Sequence, residues 1–156
     1  MDANKDVGLT DARLSEVDPS FFASGHGTGD IAQLTDGRLL YAFSSRPGGL
    51  GGILGSYSGD EGENWSKPRV LIPAPEERFS YPSGEYYEGP SFLRRQDGLL
   101  LLSYMWCVAT GYPPKDPWGH TYSRLSDDEG ETWSDPKVLT GSGERVSLIH
   151  NNKLLR

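Results

Sequence analysis

The sequence predicts an all-β protein built from repeated four-stranded antiparallel units. Three observations carry this. Gly (20) and Pro (11) make up about a fifth of the 156 residues, and both interrupt helices while suiting tight turns. Two Asp-Gly pairs, Asp36-Gly37 and Asp97-Gly98, each stand between short apolar runs, which is a hairpin pattern. A segment beginning at Ser58 recurs at Ser126, with Ser, Asp, Glu, Gly, Glu, Trp, Ser and Pro at the same offsets. Internal repetition marks stacked units, and four strands per repeat of about 40–50 residues or more fit a propeller blade.

The elements follow in order. Residues 1–24 read as a lead-in without the apolar core of a signal peptide. The first unit spans 25–75. It has a strand at 30–34, a two-residue turn at Asp36-Gly37, a strand at 39–44 and a glycine-rich loop at 48–52. A third strand ends near Ser56 and a fourth covers 70–72. The second unit spans 85–141, with strands at 91–95, 99–107, 120–125 and 137–139. Its Asp-Gly pair lies 61 residues after the first and its Trp 68 residues after the first, so seven extra residues are expected around 111–119. Residues 146–156 read as the start of a third unit.

The repeated Ser-x-Asp-x-Gly-x-x-Trp segment reads as a folding device. The carboxylates of Asp60 and Asp128 can accept N–H groups of their own turns. Gly62 and Gly130 supply a backbone shape that a side chain would strain. Trp65 and Trp133 can bury a ring while the indole N–H finds a partner. The carboxylates lack the spaced ligand run of a calcium loop.

Composition excludes several classes. The net charge of −7 argues against a nucleic-acid partner, which needs a basic face. No apolar run reaches membrane-spanning length. Cys107 is the single cysteine and the three His are scattered, so neither a disulfide framework nor a metal site is expected, and no cofactor is implied. A chain starting at Met1 would be cytoplasmic; secretion stays open if the natural start lies upstream.

The repeated segment resembles the Asp box, or BNR repeat, of the sialidase (neuraminidase) superfamily. Ser126, Asp128, Gly130, Thr132 and Trp133 match its full pattern; Ser58, Asp60, Gly62 and Trp65 match with Asn64 where Thr is usual. The resemblance implies a six-bladed β-propeller, of which this chain covers about two blades and the start of a third. A full ring at this repeat length needs about 300 residues or more. Partners would then be the remaining blades or further copies, and a carbohydrate such as a sialoside or another glycan. A sialidase-like propeller binds substrate at the end where first strands begin and second-to-third loops lie, and carries its Asp boxes at the other.

That placement nominates Asp30, Arg46 and Glu88 as catalytic candidates. His26, Tyr87, His150, Asn151 and Asn152 are nominated for substrate binding. Arg46 offers the planar guanidinium that suits a carboxylate. Glu88 beside Tyr86 and Tyr87 could be a general acid if desolvated. Asp30 could equally cap a turn, and Trp106, Tyr112 and Trp118 could equally pack. His120 is expected on a third strand. The chain departs from the family pattern: no Arg stands near Gly27, and no Asp follows Arg46 before Gly55. The expected function is a sialidase-like glycoside hydrolase lacking a complete site, with a non-catalytic glycan- or protein-binding propeller as the alternative.

Overall fold

The computed structural model describes residues 29–44, 52–74, 83–110 and 115–140. Among them the protein is all-β, with eight strands and no helix. β1 (Gly29–Gln33), β2 (Leu39–Ser44), β3 (Ile53–Ser58) and β4 (Arg69–Ile72) form one antiparallel sheet in chain order. β5 (Ser83–Arg94), β6 (Leu100–Thr110), β7 (Lys115–Ser126) and β8 (Lys137–Val138) form a second. The lead-in 1–24 and the expected third unit at 146–156 lie outside the described residues.

β1 shows the two-residue period of a half-buried strand, whereas β3 is buried on both faces. In β1, Asp30 and Ala32 are buried while Ile31 and Gln33 face outward. Across β2 and β3, Leu40 pairs with Tyr57 and Ala42 with Gly55, so one face collects Asp30, Ala32, Leu40, Ala42 and Tyr57.

The Asp-Gly turns differ from the two-residue loop that the sequence suggests. Gly37 N–H bonds the Leu34 carbonyl at 3.1 Å, and Leu34 N–H bonds the Arg38 carbonyl at 2.8 Å. Only Gly37 has positive φ, at 89°. This is a three-residue loop in which a left-handed glycine closes a bulge. Arg95, Gly98 and Leu99 repeat it. Asp36 instead accepts the Arg38 N–H at 3.0 Å, so the carboxylate serves the turn without leaving ordinary φ.

The second sheet is longer than expected. β5 begins at Ser83 and β6 and β7 reach Thr110 and Lys115, so the extra residues lengthen a hairpin. Gly89 (φ 62°) and Pro90 sit inside β5 where the register shifts between Glu88 and Ser91. A bulge tolerates a residue without an N–H, so Pro90 does not end the strand.

The two sheets share one core. Ala32, Leu34, Leu40, Ala42 and Ile53 of the first pack with Phe92, Leu100, Leu102 and Tyr104 of the second. The packed faces are not equivalent. Counting from the Asp-Gly pairs, Phe92 and Leu102 correspond to Ile31 and Tyr41, which lie on the far face of the first sheet. The sheets therefore stack front to back. Phe92 is 5% exposed, whereas its counterpart Ile31 is 51% exposed.

Candidate functional site

Each strand reversal sorts chemistry to one end. The Asp-Gly loops and the Ser-x-Asp turns share one end of the sheets; the starts of β1 and β5 and the β6–β7 hairpin share the other. At the first end the repeated turn forms as a closed hydrogen-bond set. Ser58 Oγ donates to Asp60 Oδ1 at 2.8 Å and accepts the Gly62 N–H at 2.8 Å. Asp60 accepts the Asn64 N–H at 2.8 Å and its side-chain amide at 2.6 Å. In the second copy Ser126, Asp128, Gly130 and Thr132 repeat these bonds, the Thr132 hydroxyl replacing the amide at 2.5 Å. Glu61 (φ 58°) and Glu129 (φ 60°) join their glycines in the left-handed region, the two-residue pattern of a type I′ turn. The sequence signalled the glycines but not these strained glutamates.

The bonds tune the carboxylates. The Asn64 side chain and N–H, with Ser58, hold the Asp60 carboxyl below its usual range. Burial pushes the Asp128 carboxyl up, but bonds from Thr132 and Ser126 outweigh it and leave it lowered. The ring partners diverge. Trp65 Nε1 donates to the Gly62 carbonyl at 3.0 Å, as expected. Trp133 Nε1 is buried without a partner, contrary to expectation. The equivalent Gly130 carbonyl instead accepts Tyr57 Oη and Arg69 Nη2, each at 3.2 Å, from the first sheet. The second turn thus spends its carbonyl on the inter-sheet contact. Glu129 accepts the Thr35 N–H at 3.1 Å while paired with Arg94 at 2.6 Å, and Glu131 pairs with Arg69 at 2.5 Å.

At the opposite end, the register aligns Tyr87, Trp106 and His120 across β5, β6 and β7. Trp106 and His120 stack with centroids 6.0 Å apart and 5° between planes, and His120 Nδ1 lies 3.0 Å from Thr140 Oγ1. Tyr87 meets Tyr104 edge to face at 4.9 Å. His120 is on the third strand, as the sequence suggests. This half-buried aromatic row continues the face that packs on the first sheet. It offers flat apolar surface beside a polar ring edge, a combination that suits a sugar ring.

Glu88, half-buried, pairs in register with Met105 beside buried Cys107. Burial first, then the Glu88 charge, pushes the Cys107 thiol up to about 12, so this cysteine is no thiolate nucleophile. Asp30 is only 9% exposed. Its Oδ2 accepts the Phe92 N–H at 2.8 Å and lies 3.3 Å from Ser91 Oγ; its Oδ1 accepts the Ile31 N–H at 2.9 Å. The carboxylate thus ties β1 to β5. Asp30 and Tyr87 face the space between the sheets, whereas Glu88, paired with Met105, lies on the other face of β5. His26, Arg46, Tyr112, His150, Asn151 and Asn152 lie outside the described residues. No three His, Cys, Asp or Glu side chains converge on a metal-binding point among the described residues.

No family model matches the chain, and no curated protein matches it. Among solved structures, a protein of unknown function from Dyadobacter fermentans DSM 18053 is similar at 18% identity with a TM-score of 0.49. The likeness covers 72% of this chain and 36% of that one, so this chain spans about a third of that neighbour's length.

Proposed function

We propose that the chain forms two adjacent blades of a six-bladed, sialidase-like propeller whose role is to bind and process a glycan. The observation that carries the reading is the front-to-back stacking of two sheets that bear the same Ser-Asp-Gly bonded turn at one end and an aromatic row at the other. Stacking of that kind repeats, and a repeat that closes makes a ring. The ring would bring the starts of the first strands together around one axis, with Tyr87, Trp106 and His120 near a sugar and Glu88 as the acid candidate. Arg46 and the polar trio His150, Asn151 and Asn152 would complete that end.

One observation favours a non-catalytic, glycan-binding version of the same propeller. Asp30 accepts inter-sheet bonds, so its carboxylate is committed to the fold. A binding screen over sialosides and neutral glycans, run beside turnover of a fluorogenic sialoside, tests both readings. Trp106→Ala is expected to lower the melting point and to abolish glycan retention at temperatures where the variant is still folded. Absence of both retention and turnover across the panel would refute the glycan reading.

A further inference from the structure

The second sheet repeats, on its far face, the surface on which the first sheet receives it. Ala42 and Gly55 stand side by side across β2 and β3, on the face of the first sheet that packs against Phe92 and Leu100. Counting from the Asp-Gly pairs, Ser103 corresponds to Ala42; counting from the tryptophans, Ser123 corresponds to Gly55. Ser103 and Ser123 likewise stand side by side, across β6 and β7, with Met105 opposite Thr121 next along. The first sheet packs on the opposite face of the second, so among the described residues no strand lies over these positions. Yet Ser103, Met105, Cys107, Thr121 and Ser123 are only 0–7% exposed. Their cover therefore belongs to chain outside the described residues.

We infer that the cover is a hairpin at residues 145–156, laid on the second sheet as the second is laid on the first. Ile149-His150-Asn151-Asn152-Lys153-Leu154-Leu155 follows Leu34-Thr35-Asp36-Gly37-Arg38-Leu39-Leu40 position for position: an aliphatic residue, three polar or turn residues, a base and Leu-Leu. Asn152 takes the place of Gly37, whose φ is 89°, and Asn is the residue that accepts the left-handed region most readily after Gly. By the same count Val146 and Leu154 stand where Phe92 and Leu100 stand, so apolar side chains meet the small row of Ser103 and Ser123. The path is short enough. Leu139 N–H bonds the Thr121 carbonyl at 2.8 Å, so the chain leaves the sheet beside buried Thr121. Crossing two or three strand spacings and one layer between sheets takes about 14–18 Å, and the six residues from Thr140 to Val146 reach about 20 Å. The lead-in offers a poorer match: Leu9-Thr10-Asp11-Ala12-Arg13-Leu14 puts Ala12 in the left-handed place and Asp6 in that of Phe92. The hairpin rests on the front-to-back stacking of the propeller reading and not on a glycan. It sets His150, Asn151 and Asn152 in a turn at the Asp-Gly end, so that turn and a sugar-binding role for these three residues exclude each other.

Hydrogen exchange of the full chain, read by mass spectrometry, tests this. Amides of 145–149 should exchange far more slowly than those of an unstructured chain. Under native conditions, Val146→Asp should speed iodoacetamide labelling of Cys107 by roughly tenfold or more, since one buried aliphatic contact is lost from the cover. Asn152→Gly should keep or raise the urea midpoint, whereas Asn152→Val should lower it, because a β-branched residue resists positive φ. Free exchange throughout 145–156, or Cys107 labelling indifferent to Val146→Asp, would overturn the inference and give the cover to the lead-in. Loss of a measured glycan retention in Asn152→Gly at an unchanged midpoint would also overturn it, returning Asn152 to a sugar site. Phe92→Ala separates the hairpin from its premise. An unchanged midpoint there would sink the within-chain stacking and the propeller with it. A lowered midpoint there, with Val146→Asp indifferent, would sink the hairpin alone.

Discussion

Replacing Asp30 tests whether the two sheets are held by a buried carboxylate. Oδ2 accepts the Phe92 N–H at 2.8 Å, and Phe92 is 5% exposed. Phe92 lies on β5, the outermost strand of its sheet, so this N–H has Asp30 as its partner in place of a strand. Asp30→Ala removes a charge-assisted bond worth about 1.5–3 kcal/mol and leaves the N–H buried and unpaired. The Ile31 N–H at 2.9 Å is local and can turn to water. Relief of burying a carboxylate offsets part of the loss, so the net cost should be about 2–3 kcal/mol. Asp30→Asn keeps an acceptor for Phe92 and should cost about 1 kcal/mol. Urea unfolding followed by tryptophan fluorescence reads this as a lower midpoint at unchanged slope. Asp30→Ala within about 0.5 kcal/mol of the parent would refute the clasp. An Asp30→Asn protein of parental stability that had lost a measured glycan turnover would make Asp30 a reacting group instead.

Gly130→Ala should cost at least about 2 kcal/mol, because φ is 86° and the new Cβ would stand 2.8 Å from Leu40 Cδ2; Gly37→Ala, with open space around it, should cost about 1 kcal/mol. Comparing the two by urea unfolding isolates the inter-sheet crowding. Trp133→Ala should cost about 3 kcal/mol, since its ring stacks 6.3 Å from Phe92 in the shared core, whereas Trp65→Ala, set against Tyr41 on the outer face, should cost less. The lowered Asp60, Asp128 and Glu129 carboxyls, the last held down first by Arg94, contribute stability that is full above their ordinary values of 3.8 and 4.5 and is lost as pH falls through the lower folded values. Melting should therefore drop steeply below about pH 4, and a midpoint flat to pH 2.5 would contradict it. Native Cys107, with its thiol pushed up to about 12, should resist iodoacetamide at neutral pH and label only after unfolding, as read by mass spectrometry.

The sequence reading reached the strands through signals that are local. Asp-Gly pairs, the short apolar runs beside them and the repeated turn each act within a few residues, and each of the eight strands overlaps the span those signals put it at. The misses are equally physical. β5 runs through Gly89-Pro90 because a bulge accommodates the missing N–H, and composition alone reads that pair as a break. The seven extra residues go with a longer β6–β7 hairpin, whose ladder runs out to Thr110 and Lys115. The site was legible only in outline. The sequence reads Tyr87 and Glu88 as the entry to a first strand, whereas β5 begins at Ser83 and puts them inside it, and the stack of Trp106 on His120 depends on the β6–β7 register, which no single segment fixes.

The repeated Ser-x-Asp turns show why a motif fixes one loop and hides the rest. Its Ser, Asp, Gly and Thr or Asn bond each other, so their identities follow from one loop. Glu129 and Glu131 stand between them and are indifferent to the loop, since their side chains leave it to reach Arg94, Thr35 and Arg69. What those positions need is set by the neighbouring sheet. That is why Trp133 can forgo the bond that Trp65 makes. The Gly130 carbonyl faces a neighbour with Tyr57 and Arg69 to offer, and the inter-sheet contact takes it. Glu61 and Glu63 repeat the acidic pair with no described sheet beside them.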